Sequence, residues 1–216
     1  MEVGTMTKLW DAIRRRRALA IVIGVLLVAG LAFGVVVGRA ILTPEEPAKA
    51  TNASANSPTN AKPADFTAFR SEQAGFELAY PTSWSTLNTQ DPQVLLLVSQ
   101  GTQDSFLVRS LELQAPVGPQ ELPAAKQLTD QIVGSNKTVQ MVTEPKQIEL
   151  GGLPGFFYFY SFQDPPTGQE GVHSHYFLFN GKTMISLVFQ TLPKEHFPTS
   201  APTFDKITAT FRTLQK

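Results

Sequence analysis

His173 and His175 stand two residues apart in a stretch rich in aromatic and β-branched residues. On a strand, such a pair shares one face with Phe177 and Phe179. His-x-His supplies two of the donors a zinc ion needs, and Asp164, Glu170 or His196 would have to add a third. Nothing in their spacing brings these residues together, so the pair is expected to be polar strand-end side chains. His173 and His175 are weak metal candidates, and no tight metal site is expected. Ser174 between them points to the opposite face, and no G-x-S-x-G elbow exists to expose a nucleophile. No G-x-G-x-x-G or Walker-type loop is present, and Gly151-Gly152-Leu153-Pro154-Gly155 contains a proline that cannot donate an N–H to phosphate. The carboxylates are scattered singly. The chain has no cysteine, which excludes disulfides, thiolate metal sites, cysteine nucleophiles and lipid attachment through an N-terminal Cys. No catalysis, no catalytic residue and no cofactor are expected.

The elements that would carry these residues are mostly strands. Residues 75–80 alternate in polarity and stop at Pro81. Residues 94–98 form a continuous apolar run, and residues 105–113 alternate around Arg109 and Glu112. Residues 139–150 suggest a strand broken at Pro145. Residues 156–162, 172–179 and 183–192 carry the strongest strand signals, and Asn180-Gly181 between the last two predicts a two-residue type I′ turn.

Two helices are legible. Over residues 120–133, Leu122, Ala125, Leu128 and Ile132 fall on one face, with Gly134 as the expected C-cap. Near the end, Phe204, Ile207, Phe211 and Leu214 recur at helical spacing. Thr199 or Ser200 is the expected cap of that helix, with Pro202 in its first turn. Its threonines are weak helix formers, so packing must hold it.

Of the seven residues Phe156 to Phe162, six are aromatic, so both faces of that strand need apolar cover. The sheet is therefore expected to be antiparallel and central, with helices or long connections on each face. Fifteen phenylalanines and four tyrosines fill either such a core or the lining of an apolar ligand cleft. Tyr158 and Tyr160 share a face with Phe156 and Phe162, and their hydroxyls need polar partners.

At the other end of the chain, residues 18–38 are 21 consecutive residues without a charge, preceded directly by Arg14 to Arg17. As a helix they span about 32 Å, enough for a ~30 Å hydrocarbon core. The basic block belongs on the cytoplasmic side, which places everything after Ile41 outside the cytoplasm. A secretory signal peptide is the competing reading, but its apolar run is usually shorter, and Arg39 interrupts the weak cleavage site Gly38-Arg39-Ala40. A twin-arginine signal fits less well still, since the run is too long and too apolar. Gly30, Gly34 and Gly38 recur every four residues on one helix face, where they would let two copies pack closely as a homodimer.

Residues 43–65 are mostly Pro, Ala, Asn, Ser and Thr, without an aromatic residue. They bury too little to order themselves, and as a coil they reach roughly 26 Å. The organisation expected is a cytoplasmic basic segment (1–17), a transmembrane helix (18–42), a disordered linker (43–65) and one extracytoplasmic domain (66–216). Net charge is zero, but the part from Phe66 onward has 10 Lys and Arg against 13 Asp and Glu, or −3. A mildly acidic domain has no electrostatic reason to bind nucleic acid.

Gly75-Phe76-x-Leu78-x-Tyr80-Pro81-x-Ser83-Trp84 resembles the opening of PsbP-like domains, in which a strand runs into a Pro-x-x-Trp turn. The Gly151-Gly152-Leu153-Pro154-Gly155 element before an aromatic strand is similar too, as are the consecutive hairpins and the closing Thr210-Phe211-Arg212. Ser83 stands where many bacterial members have Gly. The resemblance covers about residues 66–214. It implies an α+β fold, an α/β/α sandwich with a central mostly antiparallel sheet, here preceded by one transmembrane helix. It also implies a binding or assembly module rather than an enzyme, and it transfers no functional residue.

Together these readings describe a membrane-tethered, extracytoplasmic, non-catalytic module with a protein partner, supporting an envelope or photosynthetic complex. The membrane would be the plasma membrane, or the thylakoid in a photosynthetic cell. The alternative is a tethered binder of a small hydrophobic ligand or metal ion. A filled core supports the first reading and an open aromatic cavity the second.

Overall fold

Hydrophobic alternation begins at Phe66 and sets the first pairing. The computed structural model describes residues 63–101 and 104–214. β1 (Phe66–Ser71) pairs antiparallel with β2 (Phe76–Pro81), with Gly75 in the turn at φ +74°. Trp84 follows Pro81 in a tight turn, its N–H donating to the Pro81 carbonyl over 3.0 Å. β3 (Ser85–Thr86), β4 (Val94–Gln100) and β5 (Asp104–Glu112) then start a second sheet.

From β5 the chain leaves the sheet through α1 (Leu122–Gly134) and returns at its far edge as β6 (Gln140–Leu150). A meander follows through β7 (Leu153–Gln163), β8 (Glu170–Asn180) and β9 (Thr183–Thr191), the last of which pairs with β5. A 3-10 turn at Lys194–His196 leads into α2 (Phe197–Ala209), and β10 (Arg212–Thr213) pairs with β2. The large sheet has seven strands in the order β3-β4-β5-β9-β8-β7-β6, and the small one has three, β1-β2-β10. Every pairing is antiparallel.

The two faces of the large sheet hold separate cores. On one face Phe106, Val108, Ile185, Leu187 and Phe189 pack against the small sheet and α2, through Phe76, Leu78, Trp84, Phe204 and Ile207. On the other, Phe156, Tyr158, Tyr160, Phe177 and Phe179 pack under α1 through Ala125 and Val133. The α+β character and the central antiparallel sheet agree with expectation. One outer layer differs, because a second sheet shares it with α2.

Several boundaries differ from the sequence reading for identifiable reasons. β6 is not broken at Pro145. It runs through the proline as an edge strand, where a missing N–H costs little, and accommodates it by one register shift between Met141 and Thr143 and a second between Thr143 and Lys146, across the proline itself. The β8–β9 turn is Gly181-Lys182, one residue later than predicted. Gly181 alone has positive φ (+60°) there, the pattern of a type II′ rather than a type I′ turn.

In α1 the buried residues are Ala125, Thr129 and Val133, with Leu122, Leu128 and Ile132 partly buried beside them. α2 begins earlier than predicted, with Pro198 in its first turn and Pro202 inside it. Ser200 is no cap, since its Oγ donates to the Asp104 carboxylate at 2.7–2.8 Å and ties α2 to β5. Phe211 and Leu214 lie past the helix, where Phe211 stacks on Phe76 at 5.3 Å.

Among the described residues no helix is long and apolar enough to cross a membrane. The expected transmembrane helix and Gly30, Gly34 and Gly38 lie outside the described residues.

Candidate functional site

The aromatic strands converge on a chain of polar side chains. Register places Tyr160 opposite His173 and Tyr158 opposite His175, while His173 faces Gln190 on β9. All five lie on the face covered by α1. The Tyr160 hydroxyl lies 3.1 Å from Nδ1 of both His173 and His175. Nε2 of His173 is 2.9 Å from Oε1 of Gln190. His173 also packs against the Phe162 ring at 4.3 Å, and His175 stacks on Phe177 at 3.9 Å.

One direction of donation satisfies this chain. Gln190 Oε1 can only accept, so His173 carries its proton on Nε2 and presents a lone pair at Nδ1. Tyr160 then donates to His173 and accepts from His175 Nδ1–H. That leaves Nε2 of His175 as an acceptor, buried and without a partner. Arg109 on β5 projects from the same face and pairs with Asp91. Its Nε is likewise buried without a partner.

Burial holds both imidazoles neutral. It lowers His173 to about 4, against a smaller opposing effect of the Gln190 hydrogen bond. His175 is pushed well below the ordinary range by burial first, then by its neighbours His173 and Arg109. Burial raises the Tyr160 hydroxyl far above its ordinary value.

Tyr158 ends a second polar cluster under α1. Its hydroxyl donates to Asp130 Oδ1 at 2.8 Å and lies 2.6 Å from Thr129 Oγ. The Lys126 ammonium sits 5.3 Å above its ring and binds Asp130 at 2.5 Å. Burial again raises the phenol pKa. Both tyrosine hydroxyls thus find the polar partners their burial requires.

The histidines were expected to be polar strand-end residues. They instead sit mid-strand, and His175 is only 7% exposed. The third donors considered for a metal do not join them. Asp164 accepts from Thr167 N–H and Oγ–H in the β7–β8 turn. Glu170 pairs with Lys194, and His196 lies in the 3-10 turn before α2. Among the described residues no three His, Cys, Asp or Glu side chains are grouped to hold a metal ion. The sequence marked Tyr160 as a hydroxyl in need of a polar partner, but it named neither that partner nor Gln190, and it gave Arg109 no part in the site. Only the register reveals the connections, pairing Tyr160, the histidines and Gln190 across 13 to 17 residues and bringing Arg109 in from β5 by way of β9.

No known family model matches this sequence, and no curated protein matches it. Solved structures do match in shape. Cyanobacterial PsbP from Synechocystis sp. PCC 6803 aligns with a TM-score of 0.52 at 12% identity, covering 73% of this chain and 98% of that one. LpqN of Mycobacterium tuberculosis, described as involved in cell envelope biogenesis, gives 0.49 at 11% identity, over 65% of this chain and 83% of its own. The Ran-binding protein Mog1p of Saccharomyces cerevisiae gives 0.48 at 10% identity, over 69% and 96%. The fold is that of the PsbP-like domains, as the Pro-x-x-Trp turn and the glycine-led aromatic strand implied.

Proposed function

We propose that the chain is a membrane-tethered, extracytoplasmic binding and assembly module without catalytic activity. Residues 18–42 anchor it, residues 43–65 give it reach, and the PsbP-like domain engages a protein partner in an envelope or photosynthetic complex. The observation that carries this reading is the burial of the α1-facing side of β7, with aromatic packing on its other side. Phe156, Tyr158 and Tyr160 are buried under α1. On the opposite face Phe157 packs on Tyr176 at 4.7 Å and Phe159 on Phe197 at 4.8 Å. Phe156, Tyr158, Tyr160 and Phe162 therefore fill the core, while Phe157 and Phe159 stay half-buried, which leaves the outer surface as the means of recognition. Fold-level likeness to PsbP supports a binding role, since that resemblance implies binding modules.

Two measurements test the proposal. Protease added to intact cells or spheroplasts should remove the domain and leave a short protected fragment. A soluble chain trimmed near Ile41 would refute the anchor. Photo-cross-linking in intact membranes from surface positions such as Glu144 and Glu72 should capture one reproducible protein neighbour. Capture of none from either face would refute the assembly role.

A further inference from the structure

Six asparagines occur in the chain, and two of them open an Asn-x-Ser/Thr triplet with no proline at its middle position. Both triplets follow residues 18–42. Asn52-Ala53-Ser54 lies outside the described residues. Asn136-Lys137-Thr138 lies in the connection between α1 and β6, and all three residues are exposed.

The side chains of this second triplet are arranged around one another. Oδ1 of Asn136 accepts from the Thr138 backbone N–H and from the Thr138 hydroxyl, both at 2.9 Å. A turn needs only the first of these bonds. The second is what a hydroxyl residue at this position adds. Thr138 is fixed from its other side, since its Oγ accepts from the Gln163 N–H on β7 at 3.1 Å. The Asn136 carbonyl accepts from the Val139 N–H at 3.3 Å and closes the turn. Among the described residues, nothing hydrogen-bonds to Nδ2 of Asn136.

An amide nitrogen is a poor nucleophile because its lone pair is delocalised into the carbonyl. Two donors on the carbonyl oxygen make the Nδ2–H more acidic, so a base can remove that proton as a new bond forms. The exposed amide can be reached without unfolding the domain or breaking a hydrogen bond to Nδ2.

We propose that Asn136 is an N-glycosylation site, whose co-substrate is a sugar chain activated as a lipid-linked pyrophosphate. Nδ2 attacks the anomeric carbon and the C–N bond forms. The bond from that carbon to the pyrophosphate oxygen breaks, and its electron pair leaves with the pyrophosphate. A base of the transferring enzyme takes the Nδ2 proton, and nothing is oxidised or reduced. The site rests on the extracytoplasmic placement proposed above, because the acceptor must lie on the side where the sugar donor is displayed. A glycan there stands at the head of edge strand β6, before the exposed Met141 and Val142, and adds a bulky, hydrated cover beside them.

Mass spectrometry of the full chain, isolated from the membranes of its native cell, tests the site. The peptide carrying Asn136 should be heavier by a whole number of sugar residues, and fragmentation should leave sugar on Asn136. Asn88 is also exposed but is followed by Thr89-Gln90, and it should be bare. Thr138→Ala should abolish the added mass, and Thr138→Ser should keep it. Because Thr138 also holds Gln163, Asn136→Gln serves as a second variant and should lose the mass as well. A bare Asn136 in the wild-type chain overturns the proposal, and so does a glycan that survives Thr138→Ala. Protease added to the same intact cells separates this proposal from the placement beneath it. A domain digested from outside with Asn136 bare overturns the site alone, as does sugar on Asn52 with none on Asn136. A domain protected inside, with Asn136 bare, overturns the placement too.

Discussion

Trp84 stands edge-on to Phe204, with ring centroids 6.3 Å apart and planes at 85°. This contact joins the turn after β2 to the middle of α2, and Phe204 in turn packs on Phe189 of the large sheet at 5.0 Å. Phe204 therefore links the indole to the large sheet. Trp84 is 5% exposed, which makes it a core residue and not a contact for a partner. Trp84→Ala should destabilise the domain by about 3–5 kcal/mol, measured by urea unfolding of residues 63–216, which contain both cores. A change below about 1 kcal/mol would show the bridge to be dispensable.

Gly155 sits where β7 passes closest to β8. A Cβ there would lie 2.1 Å from the Phe177 carbonyl oxygen and 3.0 Å from the Leu178 side chain. Its φ is not positive, so close approach and not backbone conformation requires glycine. Gly155→Ala should cost several kcal/mol, on the order of an overpacked core, about 1–3 or more. Gly152→Ala meets no atom but sits at φ +80°, so its cost should be conformational and smaller, on the order of 1 kcal/mol. Thermal unfolding of the two variants side by side would reverse this ranking if the strand could slide.

Much of this fold could be read from local pattern. The hairpins β7–β8 and β8–β9 followed from aromatic and β-branched runs separated by turn residues, and their pairing needed no long-range information. β1 carried too little signal, because only Phe66 of its six residues is fully buried and Ala68 and Arg70 are exposed. β3 and β10 are two residues each and exist only because β4 and β2 offer open edges. α2 was misplaced because Pro198 and Pro202 compete as start signals, and Phe211 mimics the helical spacing from outside the helix. The polar chain was half legible. His173 and His175 announced a shared face, but their partners depend on register across three strands.

Zinc offers a direct check on the histidines. Nδ1 of each is engaged with Tyr160, and Nε2 of His173 with Gln190, so one imidazole nitrogen of the pair is left over. The expected outcome of isothermal titration at pH 7.5 is no zinc binding tighter than micromolar. Submicromolar affinity lost in His173→Ala would move the protein into the metal-binding class.

The anchor gives a separate prediction. Gly30, Gly34 and Gly38 should allow residues 18–42 to self-associate, which would double the valency of the domain for one partner. A membrane association assay should report a signal that Gly34→Ile reduces at least several-fold. Equal signals from both sequences would mean that the glycines are incidental.

Both rims of the seven-stranded sheet are poor places for another strand to attach. One ends in the two residues of β3, and the other is β6, with Pro145 and two register shifts. Met141 and Val142, 44% and 52% exposed, lie beside those shifts, where a straight strand would have made them sticky. Copies crowded together can therefore collide rim to rim without zipping into a shared sheet. The irregular outer strand thus keeps its own edge from serving as a template for a further strand.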